Sequence, residues 1–234
     1  GSDKAKLTNI SNWGTLNLGN DGSYFYGCSN LTISATDTLD ISGTTNWTEA
    51  FREATSLTAV PGITSWDFSS ATTMNSMFNL SSSFSQDLSA LGISNVTNIS
   101  YMLQSTAVDH DYSSWDIGNI TDATNFLNGV TLSTENYNKL LNGWAAQAPS
   151  IQSNVVFHGG SAQYDISSGG VDGTAARAIL TDTYNWTITD GGEADLFLTC
   201  SGGVESCTAG SLPNCTGGDK VHTFTTLGSD SLVC

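Results

Sequence analysis

Apolar residues in the first half of the chain recur in one pattern, at intervals of 24 to 27 residues. Each copy begins at an apolar register mark, and a bulky apolar residue lies twelve positions later. A period of this length is typical of repeat proteins, in which each unit covers the apolar face of its neighbour. We therefore predict one continuous core over residues 7–130, built from about five copies of which the first is degraded. The marks and their partners are Trp13/Phe25, Leu39/Phe51, Trp66/Phe78, Leu91/Leu103 and Trp115/Leu127.

Each copy has its own local pattern. The alternation of Trp66 and Phe68 around a polar residue predicts a short strand at the mark, and an apolar residue such as Leu57 begins a second strand further on. Between them, apolar residues three and four apart predict a short helix. A threonine precedes this run and is a natural helix N-cap. The four threonines are Thr45, Thr72, Thr97 and Thr121.

Residues 131–192 are predicted to close the array, because the end of a stack of repeats exposes apolar surface and needs a cap. Helical spacing of apolar residues predicts one amphipathic helix. "GTAARAILTD" predicts a second, and β-prone residues before and after it predict two strands. The apolar face of the first helix consists of Tyr137, Leu140, Leu141 and Trp144.

Residues 193–234 are predicted to form a small β appendage, with the start of a following module as the open alternative. Four cysteines in a segment rich in Gly, Ser and Thr predict disulfide bonds and an oxidising compartment. Free thiols are the alternative, and Cys28 is expected to stay free. Proximity favours the pairs Cys200–Cys207 and Cys215–Cys234. At the other end, residues 1–6 resemble a tag or leader remnant.

The composition excludes several classes of partner. Lys+Arg is 6 against Asp+Glu 22, a net charge of −16, and such a surface repels nucleic acid and anionic lipid. No apolar run approaches the roughly 20 residues that span a bilayer, so we predict no membrane insertion. At 38% hydrophobic residues, the chain has enough apolar surface for a folded core.

The phrases "WDFSSATTMNSMF" and "WDIGNITDATNFL" resemble the BspA-like leucine-rich repeat of microbial surface proteins (DUF285-type repeats). The resemblance lies in the W-D, N-V-T and M-F elements and covers about residues 7 to 130, although Leu91 replaces the usual tryptophan. It implies an α/β repeat solenoid, leucine-rich-repeat-like, with short strands and short helices. It also implies a secreted or cell-surface protein.

Catalytic and metal-binding motifs are not evident in the sequence. No histidine has metal-ligand spacing, and neither a nucleophile elbow nor a phosphate-binding loop is present. We predict no cofactor, with calcium as the open alternative, because carboxylates in glycine-rich loops suit calcium. The two candidate clusters are Asp109, Asp111 and Asp116, and Asp190, Glu193 and Asp195. The many N-x-[ST] sequences arise in part from the repeat itself, and we interpret them as repeat structure first.

We therefore expect a non-enzymatic extracellular or cell-surface domain that mediates adhesion or molecular recognition. The outward positions are neutral hydrogen-bonding residues, so the expected partner is an extracellular protein or a glycan. The candidate ligand-binding residues are Asn98, Tyr101 and Asn125. Two alternatives remain: a structural spacer within a larger surface protein, and a secreted glycan-active enzyme, which would need two positioned carboxylates in a cleft.

Overall fold

The computed structural model describes residues 3–194, together with two short strands at 199–200 and 207–208. The chain divides into two compact units, Gly1–Ala194 and Asp195–Cys234. The described strands are β1 (Asn9–Ile10), β2 (Thr32–Ile33), β3 (Val156–His158), β4 (Thr187–Thr189), β5 (Thr199–Cys200) and β6 (Cys207–Thr208). The pairs β1–β2 and β3–β4 are parallel, and β5–β6 is antiparallel.

Two α-helices are present in the described residues, α1 (Thr134–Ala145) and α2 (Gly173–Ala178). A π-helical turn, Ile179–Thr183, continues α2. Four short 3₁₀ turns complete the helical elements: Lys4–Lys6, Ile63–Ser65, Phe68–Ser70 and Ser168–Gly170.

Successive copies of the repeat are hydrogen-bonded to one another in parallel. Single parallel bridges join Asn46 to Thr73, Thr73 to Asn98, and Asn98 to Asp122. Around this line, alternate backbone N–H groups of each copy donate to carbonyls of the next copy. Phe51, Phe78 and Leu103 occupy the same position in three copies and make equivalent bonds. These bonds are Phe51 N–H to Met77 O at 2.8 Å, Phe78 N–H to Met102 O at 2.9 Å, and Leu103 N–H to Phe126 O at 3.1 Å.

The intervening N–H groups close turns inside the copy. Ala50 N–H donates to Trp47 O at 3.2 Å, and Met77 N–H donates to Met74 O at the same distance. The two sets of bonds together give partners to the backbone of a segment whose side chains are largely buried. Buried backbone groups need such partners, so the register between copies is strongly specified.

The predicted core is confirmed. Trp66, Phe78, Met102, Trp115 and Leu127 are all at most 5% exposed, and they belong to one cluster of buried side chains that continues into residues 131–192. The degraded first copy joins the same cluster, since Trp13 and Phe25 are buried and Phe25 N–H donates to Ala50 O at 2.8 Å.

The prediction that the repeat threonines cap helices is wrong. Asn98 forms a parallel bridge, and residues 100–105 form consecutive turns rather than a helix. Thr97 donates from both its N–H, at 2.9 Å, and its Oγ1, at 3.2 Å, to the carbonyl of Thr72 one copy earlier. Thr72 and Thr121 do the same with Thr45 and Thr97. The sequence pattern misled because consecutive turns, like a helix, bury residues three and four apart.

The strand predicted at the register mark is also replaced by a turn. Trp66 and Phe68 are both buried, as the alternation indicated, but Phe68 begins a 3₁₀ turn. The exposed residue between them, Asp67, stabilises this turn by accepting the N–H of Ser69 at 3.0 Å. Alternating burial therefore does not distinguish a strand from a short capped turn at this position.

The closing segment is built as the sequence predicts. Helix α1 buries Tyr137, Leu140, Leu141 and Trp144, and α2 lies within the predicted second helix. Strand β3 continues the backbone ladder, because Val156 O accepts the N–H of Ala123 at 3.1 Å and His158 O accepts the N–H of Leu127 at 3.0 Å. The last copy thus donates to carbonyls of residues 131–192, while the capping role of this segment stays a prediction.

Strands β5 and β6 belong to the second unit, where Cys200 lies opposite Cys207 in the antiparallel register. Cys215 and Cys234 lie outside the described residues, so the predicted disulfide bonds stay a prediction. In the first unit, Cys28 is a free and buried thiol, as expected.

No helix in the described part of the chain combines the length and apolar character needed to cross a membrane.

Candidate functional site

The turns of each copy contain two residues in the left-handed backbone region, four positions apart. In the copy that includes Tyr101, φ is 59° at Tyr101 and 55° at Ser105. Such values are uncommon outside Gly and Asn and persist where the surrounding structure enforces them. Here the ladder enforces them, since Tyr101 N–H donates to Thr124 O at 2.8 Å. The corresponding pairs are Ser23/Gly27, Glu49/Glu53, Ser76/Leu80 and Asn125/Gly129.

These turns leave one face of the stack lined by polar side chains. Trp47, Ala50 and Phe51 are buried in the core, whereas Glu49 and Arg52 are half-buried. The positions equivalent to Glu49 in the following copies are Ser76, which is buried, and Tyr101 and Asn125, which are half-buried. We call this surface the turn face.

An open depression of about 390 Å³ lies on the turn face and spans three consecutive copies. Arg52 comes from one copy, Asn79 and Leu80 from the next, and Tyr101 and Gln104 from the third. Asn75 and Ser76 complete its lining.

The polar groups around the depression are partly engaged with one another. Asn75 Nδ2 donates to Ser100 Oγ at 2.6 Å, and Asn79 Nδ2 donates to Gln104 Oε1 at 3.4 Å. Two buried polar atoms of the lining residues have no hydrogen-bond partner, Asn79 Oδ1 and Arg52 Nε. Four further buried atoms in the described residues share this property, those of Trp13, Thr44, Trp47 and Tyr112.

The Arg52 guanidinium sits between two carboxylates. Its Nη1 pairs with Glu49, and its Nη2 lies 3.5 Å from Glu53 Oε1. The hydrogen bond to Glu49 raises the pKa of Arg52, which stays charged. The guanidinium carbon also lies 5.2 Å from the centroid of the Tyr26 ring. The local charge is therefore one cation against two anions.

Comparison with protein families gives one match. Residues 20–144 match the family described as "Mycoplasma protein of unknown function, DUF285". The chain belongs to the DUF285 family. No curated protein matches this chain, and neither does any solved structure. The match covers all the copies from Asn20 onward and extends through most of α1, so the depression of this DUF285 protein lies within the family region.

The three predicted ligand-binding residues of this DUF285 protein have different surroundings. Tyr101 lines the depression, and Asn125 occupies the equivalent left-handed position one copy later. Asn98 is engaged within the stack: its Oδ1 accepts from Ser100 N at 2.8 Å and Ser100 Oγ at 2.6 Å, while its Nδ2 donates to Asp122 Oδ2 at 3.3 Å.

Sequence reasoning missed Arg52, Asn79 and Gln104, which share the depression with Tyr101. They lie in three different copies, and their convergence depends on the turn conformation. The one signal in the sequence was the run of charge at Glu49, Arg52 and Glu53, because Arg52 is the one Lys or Arg among residues 7–130.

A second depression, of about 480 Å³, lies beside the register marks. Its lining includes the carboxylates of Asp40 and Asp67. Hydrogen bonds from Ser42 lower the pKa of Asp40, and those from Ser69 lower the pKa of Asp67. Both carboxylates therefore already stabilise turns in their own copies.

Within residues 3–194, no three His, Cys, Asp or Glu side chains form a metal-binding group. Asp109 accepts instead from Ser133 N and Asn136 Nδ2, Asp111 accepts from Ser113 N, and Asp116 accepts from Gly118 N. The first predicted calcium cluster is thus not brought together.

The second predicted calcium cluster is centred on Asp190, which has other partners. Asp190 Oδ2 lies 2.8 Å from Arg177 Nε and accepts from the Tyr137 hydroxyl at 2.8 Å. Glu193 accepts from Thr174 Oγ1 at 3.0 Å. Asp195 lies outside the described residues, so calcium binding at this cluster stays a prediction.

Several asparagines of the N-x-[ST] sequences in the described residues make structural contacts. Asn95 Nδ2 and Asn119 Nδ2 each donate at 2.7 Å to a carbonyl of the preceding copy, those of Ser69 and Ser94. Asn30 Nδ2 donates to Ala5 O at 2.9 Å. These contacts support the interpretation that the sequences serve the repeat.

Proposed function

We propose that the copies form a BspA-like, leucine-rich-repeat-like solenoid, in which each copy is one turn of a continuous stack. Two features support this proposal: the parallel backbone ladder between copies, and the single apolar core that runs through them. Membership of the DUF285 family is consistent with it. We also propose that the protein is secreted or displayed at the cell surface.

The function proposed for this stack is non-enzymatic adhesion or molecular recognition of an extracellular protein or glycan. One observation carries it: the turn face presents an open depression that is lined by polar side chains and shared by three copies. Polar groups near a concave surface are the usual means by which a protein fixes the orientation of a ligand.

The chemistry of the turn face sets the expected mode of binding. Its outward residues are mainly hydroxyls and amides, and Arg52 is balanced by Glu49 and Glu53. A contact made by such groups is polar and hydrated. Its affinity should change little with salt, because screening weakens interactions between exposed charges and leaves neutral hydrogen bonds largely unaffected.

The test is a binding screen of the purified chain against immobilised glycans and extracellular matrix proteins, at low and at moderate ionic strength. We expect weak binding that is nearly equal in both buffers. The variant Tyr101→Asn should reduce it, and Asn at this position suits the left-handed backbone, as Asn125 shows. A screen that detects no binding, or binding that disappears at moderate salt, would contradict the proposal.

The second candidate is a structural spacer in a larger surface protein. The observation that favours it is the uninterrupted ladder, which couples each copy to the next and should make the stack stiff. Two experiments distinguish these functions: the binding screen, and a measurement of how far the outer domains stand from the cell surface. A spacer binds nothing on the array, while cells carrying proteins with fewer copies would display their outer domains closer to the surface.

The proposal includes no catalytic step. A glycan-active enzyme would release products from a polysaccharide, which a reducing-end assay on the screened glycans detects. Product formation would overturn the recognition proposal and favour hydrolysis.

A further inference from the structure

We propose that residues 3–10 form a strap that opens and closes over the first copy independently of the rest of the fold. The strap consists of the 3₁₀ turn Lys4–Lys6 and strand β1, with the residues between them. Its boundary is sharp, because residues 3–9 are all exposed and Ile10 is half-buried, whereas Trp13 is 4% exposed and belongs to the core. This inference concerns a conformational device and does not depend on the recognition function proposed above.

A two-residue hinge separates the strap from a fixed point in the first copy. The fixed point is set by Asp37, whose carboxylate accepts the N–H of Trp13 at 3.0 Å and that of Gly14 at 2.8 Å. Ser11 and Asn12, which lie between this point and the strap, are both exposed. The backbone can therefore bend at these two residues without displacing the buried tryptophan.

Few contacts hold the strap along β2. Its carbonyls accept the N–H of Thr32, which donates to Thr8 O at 3.0 Å, and those of Ser34 and Ala35, which donate to Ile10 O at 2.9 and 3.0 Å. Ile10 is the one strap residue that packs against the core cluster. A segment with few buried apolar contacts and exposed backbone hydrogen bonds opens at a low free energy, well below that of global unfolding.

The other end of the strap is held by Lys4. Its Nζ lies 3.5 Å from the centroid of the Tyr26 ring, and its stem lies so close to Gly27 that an added Cβ there would come within 2.8 Å of Lys4 Cδ. Beside it, Ala5 O accepts from Asn30 Nδ2 at 2.9 Å. A cation–π contact at an exposed site is weak, so this attachment is reversible.

The thiol of Cys28 lies next to the Lys4 attachment and can report on the strap. Cys28 is free and 7% exposed, and it follows directly after Gly27. Burial raises the pKa of this thiol, and the nearby Lys4 ammonium opposes that rise. A buried thiol of raised pKa reacts slowly with alkylating reagents. Opening the strap lets water and reagent reach it, so the alkylation rate of Cys28 follows the open population.

The closed strap protects the edge of the ladder at the first copy. When the strap opens, the N–H groups of Thr32, Ser34 and Ala35 lose their acceptors and face water. An exposed strand edge of this kind is prone to unwanted pairing with other chains. The strap therefore acts as a protective device, which closes this edge and shields the thiol while it remains able to open.

The experiment is native-state hydrogen exchange of the ¹⁵N-labelled chain, followed in water and at low urea concentrations. We expect the amides of Thr32, Ser34 and Ala35 to exchange on the order of 100-fold faster than those of Phe51 and Phe78. Their exchange should depend little on urea, because opening the strap exposes little surface. In parallel, N-ethylmaleimide labelling is located by peptide mass mapping, which reports the alkylation of Cys28 separately from that of every other cysteine.

The variant Lys4→Met keeps the apolar stem and removes the charge. It should raise both the exchange of the three strap-bonded amides and the alkylation of Cys28 by about two- to fivefold, the effect of losing one exposed cation–π contact. The amide of Phe78 should be unaffected. The matched control is Lys6→Met, which removes the same charge from the strap, but from a residue whose partner is Asp3 with both side chains 76% exposed. This control should match the parent chain.

Three results would overturn the proposal. One is protection of the strap-bonded amides equal to that of Phe51, with the same urea dependence, because the strap would then open only when the whole domain unfolds. Another is an equal effect of Lys4→Met and Lys6→Met. The third is a rate of Cys28 alkylation that stays unchanged in Lys4→Met while the amides exchange faster, since the strap would then not shield the thiol.

Discussion

The rings of Phe51 and Phe78 lie 5.4 Å apart and within 6° of parallel, one copy above the other. Both side chains are fully buried. We expect Phe78→Ala to lower the free energy of unfolding by about 3–5 kcal/mol, because it opens a cavity in the shared core. Phe78→Leu is the matched control and should cost about 1 kcal/mol, since Leu103 and Leu127 occupy this position in later copies. Urea unfolding measures both, and equal losses would contradict the role of packing at this position.

The hydroxyl of Thr97 should contribute little to stability. Thr97 is exposed, and its N–H already donates to the Thr72 carbonyl that its hydroxyl contacts. Thr97→Val should change the free energy of unfolding by less than about 0.5 kcal/mol. Asn98→Ala removes the acceptor of Ser100 N and should cost about 1–2 kcal/mol. A larger loss in the threonine variant would show instead that the hydroxyl contact with the Thr72 carbonyl stabilises the stack.

The left-handed turn positions should tolerate glycine and reject β-branched residues. Ser105 has φ of 55°, and Gly27 and Gly129 occupy the same position in other copies. Ser105→Gly should leave the midpoint of thermal unfolding nearly unchanged, because relief of strain offsets the added freedom of the unfolded chain. Ser105→Val should destabilise by about 1–2 kcal/mol. Calorimetry would contradict this if both variants were equally stable.

A buried carboxylate should make stability depend on pH. Burial alone would raise the pKa of Asp165, but hydrogen bonds from Ser168, Ser167 and Asn138 outweigh it and lower the pKa. A lowered pKa in the folded state gives stability that is present above the unfolded value of about 3.9 and is lost as pH falls through the folded value. We therefore expect Asp165→Asn to cost about 2 kcal/mol at neutral pH and progressively less as the pH falls below about 3.9.

The control for the pH experiment is Asp182→Asn, which changes an exposed carboxylate in the π-helical turn. Its difference from the parent chain should be small at both pH values. A loss at Asp165 that stays constant between neutral and acidic pH would contradict the assigned role of the carboxylate.

The core of the array could be predicted from the sequence because the repeat places a large apolar residue at one position in every copy. The burial of Phe78 and Trp115 could be predicted from the repeat period alone. The turns could not be predicted, because a helix and a series of turns both bury residues three and four apart, and Glu49 or Tyr101 gives no sign in the sequence of a positive φ.

The candidate site could be predicted from the sequence only in part, for the same reason. Tyr101 was identified as an outward residue of its copy. Its meeting with Arg52 and Asn79 depends on how three copies align and on which side chains the left-handed turns direct outward. The unpaired oxygen of Asn79 depends on one further detail, the orientation of its amide towards Gln104.

The hydrogen bonds between copies follow the same pattern at successive junctions: turn N–H groups such as that of Phe51 donate to the next copy, and threonine N–H groups such as that of Thr97 donate to the preceding one. Every copy therefore offers the same donors and acceptors on each of its two sides, so a duplicated copy inserted into the array leaves both terminal surfaces as they were. Each insertion lengthens the array by about 4.8 Å, the spacing between hydrogen-bonded strands. Gene duplication can thus adjust the reach of such a protein in equal increments, with no compensating change elsewhere in its sequence.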